Sequence, residues 1–327
     1  MNQKKKILIL IILFSLLILS IIASSNPRLV DRALYRIGIQ EQVCFSDPKV
    51  NQIQDEINFV FAGDFGINET SLNILNNIKS VKPEIIIFTG DLGQATYDEW
   101  AELSSVLKNE NIYTVLGDAE DEIKNGENYL KHYELENDYY SFNYENIHFL
   151  GISTKIGKIS DDYEQLEFIK NDLEKNYHDS KTDWTIVFMH MPMYTSRDLD
   201  LELVSDIRNE LQPIFDLYDV DLVINGHKHA YERSVPLTHN SIETDLPSCV
   251  YEKYQGQIYI TVGTGGHSHS PFIEKESWSV IQNDNDYGFL DMKLLNDGKT
   301  LYIEFVNYNG KIMDTVKIYF NGIDGAN

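Results

Sequence analysis

Short runs of apolar, β-branched and aromatic residues recur along the chain, and five of them lead into a polar residue with metal-ligand chemistry. The runs and the residues after them are Ile57–Phe61 before Gly63-Asp64, Ile85–Phe88 before Gly90-Asp91, Ile112–Leu116 before Gly117-Asp118, Ile186–Met189 before His190, and Leu222–Ile224 before Gly226-His227-Lys228-His229. Such runs predict buried strands that feed into loops. Because ligands of open sheets bind at the carboxyl ends of strands, we expect these aspartates and histidines to meet at one place.

The segments between and after these strands alternate helical and extended patterns. Apolar residues at helical spacing predict helices over Thr70–Ile78, from about Trp100 to Leu107, over Glu164–Lys175 and over Leu201–Leu217. Extended patterns predict a hairpin of Tyr139–Tyr144 and Ile147–Leu150, a strand over Ile258–Val262, and antiparallel edge strands at Tyr287–Met292, Thr300–Phe305 and Val316–Phe320.

The pattern of the N-terminal residues indicates a targeting segment. Lys4, Lys5 and Lys6 precede an apolar run from Ile7 to Ala23, which is the pattern of a positive region followed by a hydrophobic segment. We favour an uncleaved membrane anchor over residues 1–26, and a removed signal peptide is the alternative. By the positive-inside rule everything after this segment is exported. Residues 27–55 form a polar stalk, and residues 56–322 form one large domain.

Charge and cysteine content restrict the partners and the compartment. The chain has 51 acidic against 27 basic residues, a formal net charge of -24, which disfavours nucleic acid and anionic lipid. A phosphate site in such a protein needs the local charge of a metal ion. In an oxidising compartment Cys44 and Cys249 can pair, and two unpaired thiols are an equally weighted alternative.

Carboxylate and imidazole ligands together suit divalent metals such as zinc, manganese or iron. At these residues the chain resembles the calcineurin-like metallophosphoesterases, and within them the purple acid phosphatases. The family pattern runs GDxG, GDxxY, GNH(D/E), VxxH and GHxH, and this sequence carries the corresponding segments in the same order: Gly63–Gly66, Gly90-Asp91, Gly117, Val187–His190 and Gly226–His229. The resemblance implies an α/β fold, a four-layer α/β/β/α sandwich, of the small single-domain form.

The resemblance also implies a ligand set for two metal ions, iron, manganese or zinc. Asp64 and His229 fall on the first ion, Asp118, His190 and His227 fall on the second, and Asp91 bridges them. Two such ions hold a substrate phosphate and generate a metal-activated hydroxide. The implied function is an exported, acid phosphatase-like hydrolase of small phosphomonoesters, with phosphatase favoured over phosphodiesterase.

Several positions depart from the family pattern. Gln94 replaces the tyrosine that follows the bridging Asp, Gly66 stands where other members carry a histidine, and Ala119 replaces a histidine that assists the leaving group. Tyr97 lies three residues too late to replace the tyrosine. His267 and His269, after the Ile258–Val262 strand, are therefore predicted catalytic residues beside Asp91 and His227, and Arg197 is placed in a pocket-lining loop.

These departures leave a second class of function open. A member of the family with weakened catalysis can act as a ligand- or partner-binding module on the same fold. The retained Asp64, Asp91, His190, His227 and His229 favour hydrolysis, whereas Gly66, Gln94 and Ala119 favour binding without turnover. Metal content and hydrolysis of an activated ester separate the two. Oligomeric state and physiological substrate stay open.

Overall fold

The computed structural model describes residues 56–93, 96–122, 126–154, 158–196, 201–239, 241–242, 249–295 and 298–320, which all lie in the compact unit Cys44–Asn327. The predicted anchor or signal peptide (1–26) and stalk (27–55) lie outside these residues, as do Cys44, Gln94 and Arg197. No helix within the described ranges is long and apolar enough to span a membrane.

Helices and strands are interspersed as far as β7, and the described elements after it are strands. The strands are β1 (Ile57–Ala62), β2 (Ile85–Phe88), β3 (Ile112–Thr114), β4 (Tyr140–Tyr144), β5 (Ile147–Ile152), β6 (Trp184–Met189), β7 (Leu222–Asn225), β8 (Tyr231–Ser234), β9 (Leu237–Thr238), β10 (Ser241–Ile242), β11 (Val250–Glu252), β12 (Ile258–Val262), β13 (Ser279–Asn283), β14 (Gly288–Leu295), β15 (Thr300–Asn307) and β16 (Ile312–Tyr319). The helices are α1 (Glu69–Ser80), α2 (Tyr97–Leu103), α3 (Asp118–Glu122), α4 (Gly126–His132), α5 (Tyr163–Tyr177) and α6 (Leu201–Leu217), and short 3₁₀ turns cover Ser104–Leu107 and Ile159–Asp161.

Two seven-stranded sheets form the centre of the fold. Sheet 1 has the order β11-β16-β15-β14-β1-β2-β3 and sheet 2 has the order β13-β8-β12-β7-β6-β5-β4. β1, β2 and β3 pair in parallel, and so do β5, β6, β7 and β12. The carboxyl ends of these strands carry the predicted ligands, as expected from their connection to loops at one edge of each sheet.

Three apolar clusters fill the spaces between four layers, which are the two sheets and a layer of helices on the outer face of each sheet. One cluster fills the space between the sheets and includes Phe59, Phe149 and Ile186. A second cluster packs α1 and α2 on the outer face of sheet 1, and a third packs α5 and α6 on the outer face of sheet 2. The predicted four-layer α/β/β/α sandwich is therefore confirmed.

Most predicted elements agree with the structure, and one prediction about the tail is wrong. The hairpin turns at Glu145, the Ile258–Val262 strand has the predicted bounds, and α6 covers Leu201–Leu217. The last three strands are antiparallel, but they are not at the edge of the sheet. β14 pairs with β1, and β16 pairs with β11, which takes the edge position.

The short edge strand β11 explains this correction. It follows Cys249, which forms a disulfide bond, and it runs parallel to β16 from Val250 to Glu252. The pairing arises over a long separation in sequence, so the local pattern does not reveal it.

The alternative of an unpaired Cys249 thiol is excluded, and the sequence contains one further cysteine, Cys44.

Candidate metal centre

The loops that follow the parallel strands hold several predicted ligands in an uncommon backbone conformation. Asp64 after β1, Asp91 after β2 and His227 after β7 have φ values of 60°, 54° and 64°. Few non-glycine residues adopt the left-handed region, and such positions concentrate at functional sites. The side chains of these three residues are therefore placed by a strained backbone.

The first group of side chains consists of Asp64, Asp91 and His229, each offering one ligand atom within 4.8 Å of the others. His229 Nε2 lies 3.5 Å from Asp64 Oδ1, and the backbone N–H of His227 donates to Asp64 Oδ2 at 2.9 Å. Asp64 is fully buried, and within the described part of the chain no hydrogen-bond donor satisfies its Oδ1 atom. A buried carboxylate oxygen without a donor is an atom that a cation would satisfy.

The second group consists of Asp118, His190 and His227, with the same 4.8 Å limit between the ligand atoms. Asp118 Oδ1 lies 2.8 Å from His190 Nε2 and 2.9 Å from His227 Nδ1. The two histidine nitrogens are 3.2 Å apart. The three ligand atoms thus lie close enough together to bind one ion.

Asp91 connects the two groups. Its Oδ1 atom lies 3.4 Å from His190 Nε2, a ligand atom of the second group, and accepts a hydrogen bond from the backbone N–H of Ala119 at 3.0 Å. Asp91 is only 3 % exposed. Its carboxylate therefore lies against both groups, and its role as a bridging ligand stays a prediction.

Backbone carbonyls orient two of the histidines. His190 Nδ1 lies 2.8 Å from the carbonyl oxygen of Thr89, and His229 Nδ1 lies 2.7 Å from that of Ser268. Because a carbonyl oxygen only accepts, each Nδ1 donates and each Nε2 is directed to its group. Metal-binding histidines in proteins are commonly fixed in this way.

Burial and close charges change the pKa values of these side chains. Burial raises the pKa of Asp64 well above its usual value. Burial opposes protonation of His190, but the carboxylates of Asp91 and Asp118 outweigh it and raise its pKa to about 10. Burial and the neighbouring His267 lower the pKa of His229 to about 4.

In the second group the pKa of the carboxylate shifts in the opposite direction from that of Asp64. Burial opposes the charged form of Asp118, but hydrogen bonds from His190 and His227 outweigh it and hold the pKa of Asp118 below its usual value. Burial lowers the pKa of His227. Carboxylate and imidazole side chains together are the donor set of zinc, manganese and iron sites, so the residues present fit such ions.

The departures from the family pattern have structural reasons in two cases. A Cβ atom on Gly66 would lie 2.4 Å from Asn68 Nδ2, which itself donates to the carbonyl of Gly266 at 2.9 Å. A side chain at position 66 therefore requires this contact to change. The hydroxyl of Tyr97 lies 2.7 Å from His132 Nδ1, so Tyr97 is not free to replace the missing tyrosine.

The two predicted loop histidines occupy different environments. The backbone N–H of His267 donates to the carbonyl of Asp64 at 3.0 Å, and its ring lies 4.4 Å from the ring of His229. His269 stacks on Tyr287 at 3.8 Å, and neither of its ring nitrogens has a hydrogen-bond partner among the described residues. His267 thus lies against the first group, whereas the contacts of His269 are with Tyr287.

Sequence reasoning missed two buried carboxylates beside the centre. Glu120 is 1 % exposed and accepts hydrogen bonds from the loops that carry Asp91 and Asp118, and burial together with the charge of Asp91 raises its pKa to about 7. Glu232 accepts from the backbone N–H and the hydroxyl of Ser196, in the loop after His190. The acidic fourth position of the GNH(D/E) pattern was the available signal for Glu120.

Comparison with known proteins agrees with this fold. Residues 57–231 match the family model for "Calcineurin-like phosphoesterase", and residues 256–315 match that for "Iron/zinc purple acid phosphatase-like protein C". Purple acid phosphatase 18 of Arabidopsis thaliana is 26% identical over 300 residues, which cover 84% of this chain and 65% of the relative. The chain thus spans just under two thirds of this relative's length.

Two solved structures share the fold. Purple acid phosphatase PPD1 from yellow lupin seeds has a TM-score of 0.69 at 21% identity, covering 81% of this chain and 54% of that chain. GAP50, described as the anchor in the inner membrane complex of Plasmodium, has a TM-score of 0.63 at 20% identity, covering 82% of this chain and 90% of that chain. At this level of identity the likeness establishes the fold.

Proposed function

Because the chain belongs to the calcineurin-like phosphoesterase family, we propose that it is an exported, metal-dependent phosphatase that hydrolyses small phosphomonoesters. The observation that carries the proposal is the pair of adjoining ligand groups, joined where Asp91 Oδ1 lies 3.4 Å from His190 Nε2. A buried carboxylate between two sets of ligands is the arrangement that two-metal hydrolysis requires.

The residues are assigned to two ions, with iron, manganese and zinc as the candidates. Asp64 and His229 would hold the first ion, Asp118, His190 and His227 would hold the second, and Asp91 would contribute to both. When bound, such ions neutralise phosphate charge and lower the pKa of a water molecule. The carbonyls of Thr89 and Ser268 support this assignment because they turn the Nε2 atoms of His190 and His229 towards the two groups.

The chain's own residues must also supply a proton to the leaving group. Hydrolysis of a phosphomonoester breaks the bond between phosphorus and the ester oxygen, and that oxygen leaves most readily when it is protonated. Ala119 cannot donate this proton. His267 is our candidate donor, because its ring lies 4.4 Å from His229 and its backbone is tied to Asp64.

Charge favours small substrates. The formal net charge of -24 repels polyanions such as nucleic acid at long range, while a single phosphate group needs only the local charge of the centre. The ligand set does not distinguish monoesters from diesters. The family's phosphatase members support the choice of monoesters.

Two features support export. Lys4, Lys5 and Lys6 before the apolar run Ile7–Ala23 are the pattern of a membrane anchor or a signal peptide. Cys249 is in a disulfide bond, and disulfide bonds persist mainly in oxidising compartments. We therefore place the domain outside the cytoplasm, either anchored to the membrane through the N-terminal segment or secreted.

A second candidate function is a binding module without turnover. Ala119 favours it, because the position lacks a side chain that can transfer a proton, and GAP50, which shares the fold, is described as an anchor. In that case the ligand groups would retain a metal ion for structure or for ligand binding, and the protein would not hydrolyse phosphate esters.

One experiment separates the two functions. The purified protein is stripped with a chelator and titrated with manganese, zinc or iron, and metal content and hydrolysis of p-nitrophenyl phosphate are measured together. The phosphatase proposal expects hydrolysis that appears with the added metal and is lost again on chelation. Full metal content without hydrolysis of this activated ester would support the binding module instead.

A further inference from the structure

Glu120 connects the two loops that carry ligands of both groups. It lies on helix α3, and its carboxylate accepts three backbone hydrogen bonds: Gly117 N–H to Oε2 at 2.7 Å, Asp91 N–H to Oε2 at 3.0 Å, and Leu92 N–H to Oε1 at 2.6 Å. The donors belong to the loop after β2 and the loop after β3. One side chain thus bonds both loops at once.

We propose that Glu120 is a positioning residue that holds the Asp91 carboxylate between the two ligand groups. Asp91 needs such support because its φ is 54°, a conformation that an aspartate adopts only when its surroundings fix it. Its carbonyl accepts from Phe65 N–H at 2.9 Å and its Oδ1 accepts from Ala119 N–H at 3.0 Å. The remaining polar backbone group of Asp91, its N–H, donates to Glu120 Oε2.

The chemistry of the carboxylate suits this role better than that of an amide. A buried carboxylate is tolerated only when it is well hydrogen-bonded, and both oxygens of Glu120 accept from N–H donors. A glutamine side chain of the same size has one oxygen and one donor nitrogen. It would therefore place N–H against N–H for at least one of the three bonds.

Close packing between the loops makes the position of Asp91 sensitive to Glu120. A Cβ atom on Gly117 would lie 2.1 Å from Asp91 Oδ1 and 2.6 Å from Asp91 N, so the two loops touch without space for a side chain. A shift of either loop must therefore move the Asp91 carboxylate. Because this carboxylate lies against both groups, the shift is expected to weaken metal binding at both.

The inference rests on the metal centre of the proposed function, but not on turnover, so its test measures binding. Mn²⁺ is titrated calorimetrically into metal-free, full-length protein in detergent micelles for wild type and Glu120→Gln. We expect Glu120→Gln to bind Mn²⁺ about 10–100-fold more weakly at both sites, the range known for residues that support metal ligands. The exposed Glu102→Gln, the same chemical change on α2, is expected to leave both affinities unchanged.

A second control separates positioning from stability. Leu173 is buried in α5 against the outer face of sheet 2, so Leu173→Ala should lower the Tm without changing the Mn²⁺ affinity. In the metal-free protein, amide exchange at Asp91, Leu92 and Gly117 should become faster in Glu120→Gln and stay unchanged in Leu173→Ala. Equal loss of affinity in the two variants at an equal fall in Tm would overturn the positioning role.

The remaining outcomes are also decisive. Wild-type affinity in Glu120→Gln overturns the inference. If that variant does not fold, Glu120→Ala decides, because it removes both acceptor oxygens without placing an N–H donor against the loops: weaker binding at both sites supports the inference and unchanged binding overturns it. A wild type that binds two Mn²⁺ ions but hydrolyses no ester overturns the proposed function alone, whereas a wild type that binds no metal overturns both.

Discussion

The two ligand groups differ in how completely the protein arranges them without a metal ion. In the second group Asp118 Oδ1 already lies 2.8 and 2.9 Å from two histidine nitrogens, and the group is closed by hydrogen bonds. In the first group Asp64 and His229 are 3.5 Å apart, and Asp64 Oδ1 has no donor among the described residues. The ligand atoms of the second group thus form hydrogen bonds with one another through their own protons. In the first group the Asp64 Oδ1 atom has no such hydrogen bond among the described residues, and a cation would satisfy it.

This difference carries a lesson about the departures in sequence. The missing tyrosine, at Gln94, belongs to the first ion, and the missing histidine, at Ala119, lies next to the second group. By the family pattern the first ion would lack a ligand, whereas the second would keep its ligands and lack a proton donor beside them. We therefore expect changes to the ligands of the first group to alter metal occupancy, and changes to proton-donating residues near the centre to alter the rate.

The largest expected effect comes from the residue that the groups share. Asp91→Asn should lower metal content at both sites and reduce hydrolysis to the background of the assay, because its carboxylate lies against both groups. Asp64→Asn should empty mainly the first site. Metal analysis of both variants checks this, with the exposed Asp98→Asn as a matched control. Full metal content in Asp91→Asn would contradict the assignment of Asp91.

Proton donation to the leaving group gives the next effect. His267→Ala should lower turnover of alkyl phosphates by about 10²-fold or more, the order of general acid catalysis, and that of p-nitrophenyl phosphate much less, since an activated leaving group needs no proton. The exposed His178→Ala, at the C-terminal end of α5, serves as the matched control, and His269→Ala tests the other predicted loop histidine in the same assay.

Restoring the family's histidine tests the same role from the other side. In the His267→Ala background, Ala119→His together with Asp118→Asn should raise turnover of alkyl phosphates by at least 10-fold, or roughly 1.4 kcal/mol of transition-state stabilisation. If His267→Ala affects both classes of ester equally, His267 does not protonate the leaving group.

The first group also predicts the colour of the iron-loaded protein. With Gln94 in place of the family's tyrosine and the Tyr97 hydroxyl held by His132 at 2.7 Å, no tyrosinate-to-iron charge-transfer band is expected. The visible absorption spectrum of protein loaded with iron(III) measures this directly. A purple preparation would show that a tyrosine reaches the first ion.

The last prediction concerns the pH dependence of metal binding at the second group. Asp91 and Asp118 raise the pKa of His190 to about 10 against the opposing effect of burial, so below that pH the second ion must displace a proton from His190. In the first group, burial and His267 lower the pKa of His229 to about 4, so this histidine has no proton to release above about pH 5, whereas burial raises the pKa of Asp64 well above its usual value and Asp64 does have one. Affinity for the second ion should therefore rise as the pH rises from 6 to 8, which calorimetry in buffers of different ionisation enthalpy can measure. A second-site affinity that is constant over this interval would contradict the account.

The sequence was sufficient for the features that depend on local pattern and strand order. Buried runs ending at Asp64, Asp91 and His190 identified the strand ends, and parallel strands bring such ends to one edge of a sheet. The sandwich followed from the same pattern and from the family resemblance, and the grouping of the ligands was implied by the resemblance alone. These features repeat along the chain, so a single sequence displays them.

The features that the sequence did not reveal depend on contacts between distant segments. The edge strand Val250–Glu252 pairs with β16 far along the chain, so the tail strands were wrongly placed at the edge. The environments of His267 and His269 differ because neighbouring loop residues turn towards His229 and Tyr287 respectively. Glu120 had only its place in a motif to indicate it, since its role consists of bonds to backbone atoms of another loop.

The most direct test of the account is the position of two bound ions. Crystals of the protein grown with Mn²⁺ or Zn²⁺ are measured at the absorption edge of the metal, and the anomalous difference map locates each ion. The account predicts two peaks about 3.5–4 Å apart, one beside Asp64 and His229 and one beside Asp118, His190 and His227, with the Asp91 carboxylate between them. A single peak, or two peaks that do not share Asp91, would contradict it.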